Sequence, residues 1–137
     1  MSPDLFADLA LAVLAAHIAV IAFNVIGLVI VPIGGALGWR FVRIFWWRAL
    51  HLALLGVVAL QALFGRACFL TLWQAVLETD AGAPASRQPL IARWIESLIF
   101  WNLPIGFFAA LYVAVLVYAA ALWRLVPPER RAARPKA

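Results

Sequence analysis

Polar side chains set inside long apolar runs are costly to bury and mark functional positions by default. This sequence holds few: His17 and Asn24 in one run, His51 and Gln61 in a second, Tyr112 and Tyr118 in a third. His17 and Asn24 are seven apart, so on a helix they share one face, and Arg48 and His51, three apart, share another. Those faces are expected to turn inward. Two histidines on separate runs invite a b-type haem with two axial imidazoles, or a quinone site. The plainer use is a set of buried polar contacts, with His17 bonded to a backbone or side-chain group and His51 close to Arg48. If both runs cross a membrane, His17 lies ~15 Å and His51 ~21 Å from the outer end, at 1.5 Å per helical residue. That mismatch of roughly 6 Å is awkward for a single haem, though tilt could absorb it.

A second cluster stands where the second run ends. Arg66 precedes the lone cysteine, Cys68, and a nearby cation can lower a thiol's pKa. Cys68, Thr71 and Gln74 follow at intervals of three, so a short helix would present thiol, hydroxyl and amide together. Arg66, Cys68, Thr71 and Gln74 are therefore expected to form a small polar pocket suited to lipid handling or thiol chemistry. The bland alternative is a cysteine packed as a small apolar residue. A Cys–His catalytic pair is not expected, because both histidines sit deep and Cys68 sits at a rim. Two histidines without a second cysteine or an intramembrane carboxylate make a poor metal site, and no catalytic residues are assigned. No cofactor is expected unless the histidines hold haem b.

What must position these residues is a membrane protein. Of 137 residues, 67% are hydrophobic and 12% charged, with mean hydropathy +1.01. A soluble domain is about half apolar and a quarter charged, and one this small could not hide the excess. The length suits one domain, about 1–126, with a basic tail over 127–137. Cys68 has no partner for an intrachain disulfide. The acidic start, with Asp4 and Asp8, lacks the basic region of a secretory signal. Spans are expected at about 9–31, 44–64 and 105–125, each near the ~20 residues needed to cross a bilayer. Pro32, Gly34 and Gly35 should break the first. Arg48, near one end of the second, can snorkel to the headgroups.

Two apolar stretches are too short to cross, 67–77 and 90–101. The second sets Arg93 and Glu96 against Trp94, Ile95 and Leu98, as a helix lying in the interface would. Between them, 78–89 is an aqueous loop. Asn102 and Pro104 fit a helix start, and Pro127-Pro128 a stop.

Charge sets the orientation. The 34–48 turn and the C-terminal end carry Arg40, Arg43, Arg48, Arg124, Arg130, Arg131, Arg134 and Lys136; the opposite side carries Arg66, Arg87 and Arg93. Eight positives against three put the C-terminus in the cytoplasm and the N-terminus outside. A four-span arrangement, with 90–101 crossing, would lose this asymmetry. The net charge of +5 does not indicate nucleic acid, because the basic residues cluster at span ends among Trp39, Trp46 and Trp47, as headgroup anchors do.

The stretch from His51 to Gln74 resembles an uncharacterised family of small bacterial membrane proteins, domain of unknown function 2784. That family shows a histidine inside its first span, His-Leu opening its second, and then Gly-x-x-Cys-Pro-Leu-Thr-x-x-Glu. His17, His51, Gly65, Cys68, Leu70 and Thr71 match in order, while Phe69 replaces the proline and Gln74 the acidic residue. The amide at Gln74 argues against carboxylate-dependent chemistry there. A later Gly-Tyr and Phe-Ile-rich motif is replaced by Leu90–Trp101. The resemblance covers roughly residues 10 to 125. It implies a helical protein of the bacterial inner membrane and supplies no activity.

The expected fold is all-α: a transmembrane helical bundle of three spans with two short interfacial helices on the outer side. The leading functional expectation is a non-enzymatic accessory or scaffold subunit that packs against another membrane protein or forms a homo-oligomer within the lipid bilayer. A haem or quinone site at His17 and His51, and a lipid or thiol site around Cys68, are the alternatives.

Overall fold

The computed structural model describes residues 2–84, 94, 96–97 and 103–129. The described elements are helical: α1 (Pro3–Ala36), a 3-10 turn (Arg40–Arg43), α2 (Phe45–Leu63), α3 (Phe69–Asp80) and α4 (Ile105–Leu125). Three of them, α1, α2 and α4, are long and apolar enough to cross a membrane. Of the expected helix at 90–101, only Trp94, Glu96 and Ser97 are described, and they are helical. Arg93 and Asn102 lie outside the described residues.

The first helix is longer than the 9–31 read from hydropathy. It starts at Pro3 because Ser2 caps it, with its hydroxyl accepting from the Leu5 amide, proline in the first turn and Asp4 near the positive end of the helix dipole. It also runs straight through Pro32, Gly34 and Gly35, the expected break. Proline has no N–H to give Leu28 O, and the Tyr118 hydroxyl donates to that oxygen at 3.4 Å. The two glycines are sites of close approach. A Cβ on Gly34 would lie 2.6 Å from Val42 Cγ1, and one on Gly35 would lie 2.5 Å from Val126 Cγ2. The helix ends at Gly38, whose φ of 73° admits the left-handed cap; Trp39 N donates back to Gly34 O.

The buried residues of α1 are Ala10, His17, Asn24, Gly27, Val31 and Gly34. They form a narrow seam at intervals of three, four and seven, as in a coiled coil. Beyond Asp8 the rest of its surface is apolar, with Leu11, Val25, Ile26 and Val29 among the exposed residues. Such a surface is compatible with a helix solvated by hydrocarbon.

The most extensive pairings are α1 with α3 and α2 with α4. The first two helices touch chiefly where the His51 ring rests on Gly27. His51 lies opposite Asn24 and Gly27, so α2 ends well short of the α1 N-terminus. At 34 residues, or about 51 Å, α1 exceeds a ~30 Å hydrocarbon core. α3, which begins two residues later than the expected 67–77, packs along α1.

The other end is sealed by Val31, Val42, Leu122 and Val126, with Ile30 and Trp47 against them. Arg48 does not snorkel. It is 1% exposed, and its Nη1 donates to Val126 O at 2.9 Å and Val42 O at 3.3 Å, with the guanidinium carbon 5.9 Å from the Trp123 ring centre. Carbonyls at the C-terminus of α4 and in the 3-10 turn thus take the place of a carboxylate. Glu129 N donates to Arg43 O, and the two side chains form a 3.6 Å ion pair. The 40–44 turn and the segment after α4 are therefore on one side of the bundle, as three crossings require.

Candidate functional site

Because α1 and α2 meet at so few points, a space is left between them, closed on its third side by α4. This cavity is about 210 Å³. His17, Asn24 and their α1 neighbours line one wall, Leu55, Val58 and Ala62 of α2 another, and Phe108, Leu111, Tyr112 and Val115 of α4 the third. One end is closed by Arg66, Ala67, Cys68 and Thr71, where α2 gives way to α3.

That closing turn is well fixed. Gly65 takes φ 65°, and Gly65 N and Arg66 N donate to Ala62 O and Gln61 O, ending α2 with a left-handed cap. The Gln61 side chain then accepts from Phe69 N at 2.8 Å, which caps the start of α3. One glutamine in the last turn of α2 thereby sets where α3 departs and where Cys68 and Thr71 stand.

The cavity is almost wholly apolar, yet three buried polar atoms on its lining residues lack a hydrogen-bond partner: His17 Nδ1, Asn24 Oδ1 and Thr71 Oγ1. They are the only such side-chain atoms among the described residues. Leaving one buried polar group unpaired costs on the order of 1–3 kcal/mol, so three around one space form a pattern to be explained. The Asn24 amide is held in one orientation, since its Nδ2 donates to Val20 O at 2.8 Å. Its Oδ1 is an acceptor with nothing to accept.

Of the expected polar cluster, Arg66, Cys68 and Thr71 line the cavity and Gln74 does not. Gln74 Nε2 donates to Glu78 Oε1 at 2.7 Å, one turn further along α3. Burial pushes the Cys68 thiol above its ordinary pKa, only partly opposed by the amides of Leu70 and Thr71. The activating effect expected from Arg66 is not what governs this thiol, which is no ready nucleophile at neutral pH.

The four residues of the other expected set divide. His17 and Asn24 line the cavity; Arg48 and His51 do not. His51 Nε2 donates to Asn24 O at 2.9 Å, its ring stacks on Trp47 at 5.9 Å between centroids, and its other face meets Gly27. A haem joining His17 and His51 does not fit these residues. His51 Nε2 is already bonded, His51 does not line the cavity, and His17 stands about 10 Å along α1 from Asn24, seven residues at 1.5 Å each. Axial ligands of one iron must stand at one height. Among the described residues, no group of three His, Cys, Asp or Glu side chains could hold a metal ion.

The apolar lining from α4 carries no sequence signal that separates it from lipid-facing residues. Tyr112 and Tyr118 are both polar groups inside that apolar run, and of the two Tyr112 lines the cavity.

A family model described as Protein of Unknown function (DUF2784) matches residues 7–128, which take in most of α1, the other three helices and every residue that lines the cavity. No curated protein and no solved structure matches the chain.

Proposed function

The chain belongs to the DUF2784 family of proteins of unknown function, and we propose that it is a small multi-pass membrane protein that binds a lipid-soluble molecule between α1, α2 and α4. The observation that carries this is the coincidence of three unpartnered buried polar atoms, on His17, Asn24 and Thr71, with one apolar cavity. An apolar chamber with a few convergent polar groups is the usual form of a small-molecule site. A 150 Å³ apolar cavity accepts benzene. This one, at about 210 Å³, has room for roughly one substituted ring or some ten carbons of chain. Arg66, exposed at the end closed by the α2–α3 turn, suits a passing anionic headgroup.

The accessory-subunit reading rests on exposed apolar surface, which lipid covers as well as a partner helix does. The cavity favours ligand binding over it. The proposed setting is the bacterial cytoplasmic membrane with the N-terminus outside, on the strength of the arginine distribution. A reporter fused to the C-terminal tail should be active only in the cytoplasm.

The ligand reading is tested by native mass spectrometry of protein released from its own membrane in mild detergent. The expected result is a bound small molecule at one per chain, lost in Val58→Phe, which fills the cavity while the protein stays folded. A wild-type protein that carries no adduct, together with a Val58→Phe variant made more stable by the filling, overturns it.

A further inference from the structure

We propose that the cavity selects a neutral, hydroxyl-bearing apolar molecule over the same molecule with its hydroxyl capped, and that Asn24 Oδ1 is the atom that reads the difference. This rests on the ligand-binding reading above and deepens it to a chemical class.

The three unpaired atoms are not equivalent. The Thr71 hydroxyl donates or accepts as needed, and the Nδ1 of a neutral His17 does either according to its tautomer. Both adapt to any polar ligand. Asn24 Oδ1 cannot, because the amide N–H that bonds Val20 O fixes which end of the side chain remains free. A ligand offering only carbonyl or ether oxygens leaves this buried acceptor unsatisfied and sets a second lone pair against it. A ligand with an O–H satisfies it. Among the described residues no carboxylate lines the cavity, and Arg66, the one formal charge there, is exposed at the end. The interior therefore suits an uncharged molecule, since an ion there would lack a counter-charge. Two sources share this chemistry within a membrane: a phenolic ring of the hydroquinone type, and an isoprenoid or fatty alcohol. Discrimination against a ligand that lacks a required hydrogen-bonding group is the strong kind, because the site's own polar atom is left unpaired.

Calorimetric titration of the purified full chain in detergent, with empty micelles as the blank, tests this with matched pairs. Methylhydroquinone is set against its dimethyl ether, and geraniol against geranyl methyl ether. The expected result is a preference of roughly ten-fold or more for the free hydroxyl in at least one pair, and the pair that shows it names the source. In Asn24→Leu the preference should shrink to about two-fold or less. Thr71→Val, nearly the same shape, should weaken both members of a pair alike. Equal binding of hydroxyl and ether to the wild type overturns the inference while leaving the cavity a binding site. A preference that survives Asn24→Leu overturns the role of Asn24. Binding of none of the four molecules overturns both this inference and the reading beneath it. The wild-type comparison decides the matter even if Asn24→Leu does not fold.

Discussion

Gly27→Ala gives the sharpest test of how the first two helices are joined. The new Cβ would sit 2.5 Å from His51 Nε2 and 2.8 Å from Cδ2, where ordinary contact begins at 3.4 Å. The ring must withdraw by about 1 Å, which takes its 2.9 Å bond to Asn24 O beyond hydrogen-bonding range. Trp47, stacked at 5.9 Å with Phe23 edge-on, resists the retreat. Overpacking of this kind costs about 1–3 kcal/mol. An interhelical hydrogen bond in a membrane adds about 0.6 kcal/mol. The expected loss is therefore about 2–3 kcal/mol, read as a shift in the unfolding midpoint when SDS is titrated into mixed micelles. The decisive comparison is a double-mutant cycle. In a His51→Ala background there is no ring to displace, so Gly27→Ala should be neutral or slightly stabilising through helix propensity. An equal cost in both backgrounds would refute the reasoning and place the strain elsewhere.

Arg48→Met removes the guanidinium from Val126 O and Val42 O and should cost about 2–4 kcal/mol, with faster proteolysis just after α4; Arg48→Lys, a point charge without the planar fork, should rescue it poorly. Gln61→Leu uncaps α3 and should cost about 1 kcal/mol while exposing Cys68, seen as faster maleimide labelling. In the wild type the raised thiol pKa keeps the thiolate scarce at neutral pH, so labelling should be slower than for a free thiol at pH 7 and climb as pH rises. A labelling rate equal to that of free cysteine at pH 7 would contradict the burial of Cys68. Tyr118→Phe should cost about 0.6 kcal/mol with Pro32 present and nothing with Pro32→Ala, because alanine returns an N–H to Leu28 O.

The three long helices were legible because apolar runs of this length admit only one reading in lipid. The ends of α1 were not read well, for two different reasons. Ser2-Pro3-Asp4 is a complete start signal, but it lies outside the apolar window that drew attention to Leu9. Pro32, Gly34 and Gly35 carry a signal with two meanings, stop or close approach, and the residues that decide, Val42 and Val126, are remote in sequence. The shared face of His17 and Asn24 followed from spacing alone. The partner of His51 did not, since it depends on how α1 and α2 are registered. Thr71 joined the cavity as the spacing suggested, but Gln74 found Glu78 one turn on, a local competitor that counting by threes overlooked. The need for a ligand donor was invisible in sequence, because it depends on which end of one amide is already bonded.

Among the described residues no carboxylate pairs with Arg48, and that bears on how the chain is assembled. Both carbonyl oxygens that receive its guanidinium, Val42 O and Val126 O, lie outside α2, and the nearer one belongs to the C-terminal end of α4. The first two helices with the turn between them supply Val42 O alone, and the shorter of the two bonds forms only when the end of α4 is in place. Through this one side chain the end of α4 is tied to the turn that joins α1 to α2.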